Sequence, residues 1–147
     1  MPAKYDKLGI AFQYPENWTL DEEDALAGRP SVTVHSPGGG FWTVAIYPHS
    51  SDPSQISQTA VDAMKAEYEG VEVEAADDSL FGHEMIGFDL NFFYLDLTNT
   101  ARIRSFRAGH ATYTAFWQAE DREFAKLERV FDALTASLLQ GVKSGGL

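Results

Sequence analysis

Hydrophobic and polar positions first alternate along the chain with the two-residue period of a strand. Ile10, Phe12 and Tyr14 alternate with Ala11 and Gln13. Pro15 has no N–H to give a ladder and stops the strand. Trp18 and Leu20 begin a second short strand ahead of the acidic run Asp21-Glu22-Glu23-Asp24. Val32 and Val34, set among Ser31, Thr33 and His35, make a third, and FWTVAIYP, closed by Pro48, a fourth. Asp52-Pro53-Ser54-Gln55 then predicts a helix start: aspartate suits the N-cap, proline the first turn, and Gln55 a capping-box-like pair. Ile56, Ala60, Met64 and Tyr68 recur along one helix face, and Gly70 ends it. Val71 and Val73 alternate with Glu72 and Glu74 in a short strand. The longest strand follows, with Ile86, Phe88, Leu90, Phe92 and Tyr94 on one side and Gly87, Asp89, Asn91, Phe93 and Leu95 on the other. Thr98-Asn99 is the predicted turn into ARIRSFRA, and Gly109-His110 the turn into ATYTAFWQAE. A last helix starts near Glu120-Asp121, carries Phe124, Leu127, Phe131, Leu134 and Leu138 as its apolar stripe, and stops at Gly141.

The order β-β-β-β-α-β-β-β-β-α indicates an α+β fold, a mostly antiparallel sheet with helices packed on it. One domain over residues 1–142 and a flexible tail at 143–147 are expected. The last hairpin has two registers. A strict two-residue turn at Gly109-His110 pairs Arg104 with Ala115 and Arg102 with Trp117. A loop one residue longer reverses the parity and every side chain changes face. The second register is favoured, because it gathers Ile86, Phe88, Leu90, Phe92, Tyr94, Ile103, Tyr113, Ala115 and Trp117 into one apolar face for the C-terminal helix. The opposite face then holds Asp89, Asn91, Phe93, Leu95, Arg102, Arg104, Phe106, Thr112, Thr114, Phe116 and Gln118. That mixed aromatic and charged face, either a groove or partly covered by a helix, is the candidate ligand- or partner-binding site.

Composition narrows the chemistry. The chain has 147 residues, no cysteine, and 22 acids against 11 bases, a formal charge of −11. Lack of cysteine removes disulfides, thiolate zinc sites and a cysteine nucleophile. The acidic balance opposes nucleic acid and anionic membranes. No run reaches the ~20 apolar residues of a membrane helix, nor a signal-peptide core, so a soluble cytoplasmic chain without membrane insertion is expected.

No catalytic constellation stands out. Ser36-Pro37-Gly38-Gly39-Gly40 runs into a strand, not a helix, with no lysine after it, and reads as a hairpin loop instead of a phosphate cradle. His35, His49, His83 and His110 sit at strand ends or turns. Asp77, Asp78, His83 and Glu84 read as a solvated acidic loop in preference to a hard-metal site. There is no G-x-S-x-G elbow, and the paired carboxylates at 21–24 look solvated. Arg102, Arg104 and Arg107 are read first as cross-strand partners of Asp89 and Asp96, and second as an anion contact. Neither a metal nor a cofactor is expected.

Phe12, Tyr14, Pro15 and Trp18, spaced aromatic-x-Tyr-Pro-x-x-Trp, are followed by a glycine-broken hairpin, an Asp-Pro-capped helix, a long meander and a final amphipathic helix. This arrangement, over roughly residues 8 to 140, resembles the PsbP-like α/β/α-sandwich superfamily, which includes the photosystem II PsbP subunit, bacterial DcrB-like proteins and a yeast Ran-binding import factor. The bacterial branch is nearer in length, although many of its members carry export signals that this chain lacks. The resemblance implies a non-enzymatic accessory or protein-interaction domain whose partner is another protein. The alternative is a carrier of small anionic or amphipathic ligands, in a pocket lined by Phe93, Phe106, Phe116, Arg102 and Arg104. A hydrolase would need a polar triad in a cleft. The YPENW stretch itself reads as a structural corner with Trp18 as a core plug, in preference to a ligand clamp.

Overall fold

The computed structural model describes residues 2–22 and 30–145, the last three of these by backbone only. Glu23 and Asp24 of the acidic run, and residues 146–147 of the expected tail, lie outside the described residues. The elements are β1 (Ala3–Lys7), β2 (Ile10–Tyr14), β3 (Thr19–Asp21), β4 (Ser31–His35), β5 (Phe41–Pro48), α1 (Pro53–Glu67), β6 (Glu72–Ala75), β7 (Asp78–Leu80), β8 (His83–Tyr94), β9 (Leu97–Ala108), β10 (Ala111–Glu120) and α2 (Asp121–Gly145). The fold is α+β, with an antiparallel sheet in the order β3-β4-β5-β10-β9-β8-β6 and β7 paired to β8 beside β6. β1 and β2 form a separate ribbon. Two of these strands, β1 and β7, escaped the sequence reading, because each is short and mostly polar.

Each sheet face carries one helix. α1 lies over β8, β9 and β10, and Val61 and Met64 cover Leu90, Phe92, Ala101 and Ile103. α2 packs on β9 and β10 on one side and on the β1–β2 ribbon on the other. Asp52 caps α1, its carboxylate accepting from Ser54 N at 3.0 Å, with Pro53 in the first turn. The buried stripe is Pro53, Ser57, Val61 and Met64, with Ile56 and Ala60 half-buried beside it. A strict four-residue spacing drifts off a 3.6-residue helix, which is why the expected stripe is only partly right.

Pro15 ends β2, and Trp18 N donates to Pro15 O at 3.0 Å across the YPEN turn. Phe12 and Trp18 are buried, and Trp18 meets the Phe131 ring edge-on at 5.9 Å. The corner is structural on its Trp18 side. Ser36-Pro37-Gly38-Gly39-Gly40 joins β4 to β5, closed by Ser36 N to Gly40 O at 2.7 Å and Gly40 N to Ser36 Oγ at 2.9 Å.

Three expectations fail. Gly141 does not stop α2, which runs to Gly145, so the backbone of 143–145 continues the helix. A Cβ at Gly141 would strike the Ala11 carbonyl, so this glycine lets helix and ribbon touch. The β8–β9 turn is Leu95-Asp96, not Thr98-Asn99, with Tyr94 paired to Leu97. The last hairpin takes the strict two-residue turn, so Trp117 faces Arg102 and Ala115 faces Arg104. Tyr113, Ala115 and Trp117 therefore lie under α2 with the two arginines, while Phe88, Leu90, Phe92 and Ile103 lie on the α1 side. The favoured register requires an unbroken apolar face under the C-terminal helix, yet here two arginines sit in that face, paired with carboxylates.

Candidate functional site

The register divides the expected mixed face. Asp89, Asn91, Phe93, Arg102, Arg104 and Phe106 share the α2 side, whereas Thr112, Thr114 and Phe116 point to the α1 side. On that second side Thr114 Oγ1 meets Ser105 Oγ at 2.9 Å, Ser105 meets Ser57 Oγ at 2.7 Å, and Ser57 donates to Ile86 O at 3.0 Å. This buried hydroxyl chain ties α1 to the sheet. Thr112 Oγ1 donates to Ser51 O at 3.0 Å, and Arg107 holds the His49 and Ser51 carbonyls, each at 3.1 Å, so both pin the β5–α1 loop. Phe116 stacks on Phe41 at 5.7 Å. Phe106 is fully buried against Tyr113. Phe116 lies on the α1 side and Phe93, Phe106, Arg102 and Arg104 on the α2 side, so the five do not share one face.

Arg104 is the most constrained charge among the described residues, 5% exposed. Nε donates to Asp78 at 2.6 Å, Nη2 to Asp89 at 2.8 Å, and Nη1 to the Phe88 and Ile103 carbonyls at 3.2 and 2.9 Å. Gly87 opposite makes room, since a Cβ there would strike the Ile103 carbonyl and crowd the Arg104 stem. Arg102 pairs with Glu128 of α2 at 3.1 Å and approaches Asp89 at 3.8 Å, its guanidinium 4.9 Å from the Phe124 ring centre. Asp132 of α2 is raised from its ordinary value, first by desolvation; Arg102 pulls it back, and Glu128 and Asp78 push it further up. With its donors already engaged, Arg104 acts as an internal tie between β7, β8 and β9. The cross-strand reading holds for Arg102 and Arg104 with Asp89, while Arg107 turns to backbone carbonyls and Asp96 sits at a hairpin tip.

Among the described residues no group of three or more His, Asp or Glu is placed to hold a metal ion, and no helix is long and apolar enough to cross a membrane. Two grooves stand out among the described residues. One, about 540 Å³, lies between the YPEN corner and α2, lined by Tyr14, Pro15, Asn17, Arg129, Val130 and Ala133 with their neighbours. The corner is thus a core plug at Trp18 and a groove wall at Tyr14. The other, about 530 Å³, lies between the end of α1 and the β8–β9 tip, lined by Glu67, Tyr68, Glu69, Gly70, Phe93, Tyr94, Leu95 and Asp96.

That tip is the feature sequence reasoning missed. Phe93 is 65% exposed, Tyr94 51%, Leu95 77% and Leu97 43%, four of the seven exposed large hydrophobics among the described residues. Leu95 and Asp96 have φ of 52° and 64°, the left-handed pair that a tight hairpin demands. The available signal was the run Phe92-Phe93-Tyr94-Leu95-Asp96-Leu97, in which Asp96 is the one residue with turn preference. Tyr68 braces the tip, its ring 4.4 Å from Phe92 and 5.5 Å from Tyr94. The Tyr68 phenol is raised from its ordinary value mainly by burial, opposed by a hydrogen bond with Gln118.

No sequence-family profile and no curated protein matches the chain. Solved structures do. Cyanobacterial PsbP (CyanoP) from Synechocystis sp. PCC 6803 superposes with a TM-score of 0.65 at 14% identity, covering 92% of this chain and 90% of its own. PA94 from Pseudomonas aeruginosa, a protein of unknown function, gives 0.57 at 12% identity, covering 93% and 95%. LpqN of Mycobacterium tuberculosis, described as involved in cell envelope biogenesis, gives 0.50 at 15% identity, covering 91% and 86%. Two helices on a mainly antiparallel sheet, matched across nine-tenths of the chain, establish that this protein has the PsbP-like fold.

Proposed function

We propose that the chain is a non-enzymatic accessory domain that works by docking on another protein. The observation that carries this reading is the β8–β9 tip, where Phe93, Tyr94, Leu95 and Leu97 stand in solvent within five residues of one another. Together they present roughly 400 Å² of apolar surface, a patch size that on soluble proteins commonly marks an interaction site. Support comes also from the two sheet faces. The hydroxyls of Ser57, Ser105 and Thr114 bond one another on one face, and Arg104 is held by Asp78 and Asp89 on the other, so these groups serve to hold the fold. The test is affinity purification of the full chain from its native cell with cross-linking before lysis. A protein recovered in stoichiometric amount and cross-linked to the chain is expected. Recovery of the chain alone would sink the proposal.

A further inference from the structure

We infer that the β8–β9 tip recognises a protein surface in which an apolar cleft is edged by lysine or arginine; this rests on the accessory reading above. The tip is built for insertion. Leu95 is the most exposed large hydrophobic among the described residues and is held at φ 52°, a conformation that leucine disfavours and that asparagine or glycine adopts readily. Phe93 leaves the strand on the α2 side and Tyr94 on the α1 side, so apolar side chains surround the tip. Pairing of Phe93 with Thr98 and Tyr94 with Leu97, and the brace from Tyr68, fix these anchors before binding, so little ordering remains for docking to impose.

Charge selects the partner. Glu67, Glu69 and Asp96 line the adjoining groove, all exposed, and the chain as a whole carries −11. Lys65 in the last turn of α1 is outside that lining. Acidic groups beside an apolar anchor repel anionic headgroups and a second copy of the same tip, and attract a basic rim. The geometry therefore favours a basic-edged protein cleft over a lipid surface or self-association.

A phage-displayed library of random peptides, selected on the immobilised full chain, is the probe. Leu95→Asn is the comparison variant, because asparagine adopts the left-handed backbone of this turn position, so the fold and Asp96 are kept while the most exposed apolar side chain of the tip is removed. Glu67→Lys with Glu69→Lys tests the charge separately. Enriched peptides should combine aromatic or aliphatic residues with lysine or arginine and lose affinity as sodium chloride is raised. They should bind either variant about tenfold or more weakly. No enrichment, peptides without basic residues, or equal binding to the variants would overturn the inference. So would binding to phosphatidylcholine–phosphatidylglycerol vesicles that the tip variant abolishes. If a native partner co-purifies equally with the tip variant, this inference fails while the accessory reading stands. If none co-purifies with the unaltered chain, the accessory reading itself fails.

Discussion

Replacing Arg104 by methionine removes the tie between β7, β8 and β9 while keeping the long side chain that crosses Gly87. Four hydrogen bonds go with it: two to the carboxylates of Asp78 and Asp89, two to the carbonyls of Phe88 and Ile103. Breaking a buried ion pair from one side typically costs about 3–5 kcal/mol, because the remaining charge is stranded. Here the stranded side chains are 52% and 35% exposed, so water recovers part of their solvation. The expected loss is therefore about 2–3 kcal/mol, a fall in Tm of roughly 6–10 °C for a chain of this size. Urea unfolding followed by circular dichroism measures it. Asp89→Asn made in both backgrounds should give a coupling of about 1–2 kcal/mol. Amide exchange at Asp78–Leu80 should accelerate more than exchange in β10, since Asp78 loses its anchor. A loss under about 1 kcal/mol, or no coupling with Asp89, would refute the assignment of Arg104 as an internal tie.

Gly141→Ala should destabilise the fold by about 2 kcal/mol in urea unfolding, although alanine gains about 1 kcal/mol of intrinsic helix preference, because its Cβ has nowhere to go but the Ala11 carbonyl. Asp132 has a folded pKa raised above its unfolded value, so its contribution to stability is full at low pH and is lost as pH rises through the folded pKa. Asp132→Asn removes that penalty, and thermal unfolding should show a raised Tm at ~pH 7 and little change at ~pH 3.

Much of this fold could be read from alternation and caps. Pro15 and Pro48 end their strands, Asp52-Pro53 starts its helix, and the stripe from Phe124 to Leu138 is the buried or half-buried face of α2, as its spacing requires. Such features are local, set by a single residue's backbone geometry or by one element's period. The candidate site was less legible because it depends on parity between strands. One residue more or less at Gly109-His110 decides whether Arg102 and Arg104 sit beside Trp117 or beside Thr114, and alternation within a strand is the same either way. An unbroken apolar face was the wrong criterion. It took no account of carboxylates from other elements, Asp78 on β7 and Glu128 on α2, which pair with the arginines from a distance in sequence that no local pattern reports. The same limitation hid the tip. Leu95 adopts left-handed backbone that its own preference opposes, so a reading based on preference moved the turn to Thr98-Asn99 and counted Phe93 and Leu95 as sheet positions. Where pairing overrides local preference, the cost falls on an exposed leucine, and a chain with leucine there in place of an Asn-Gly turn presents to solvent an apolar side chain that its own core does not use.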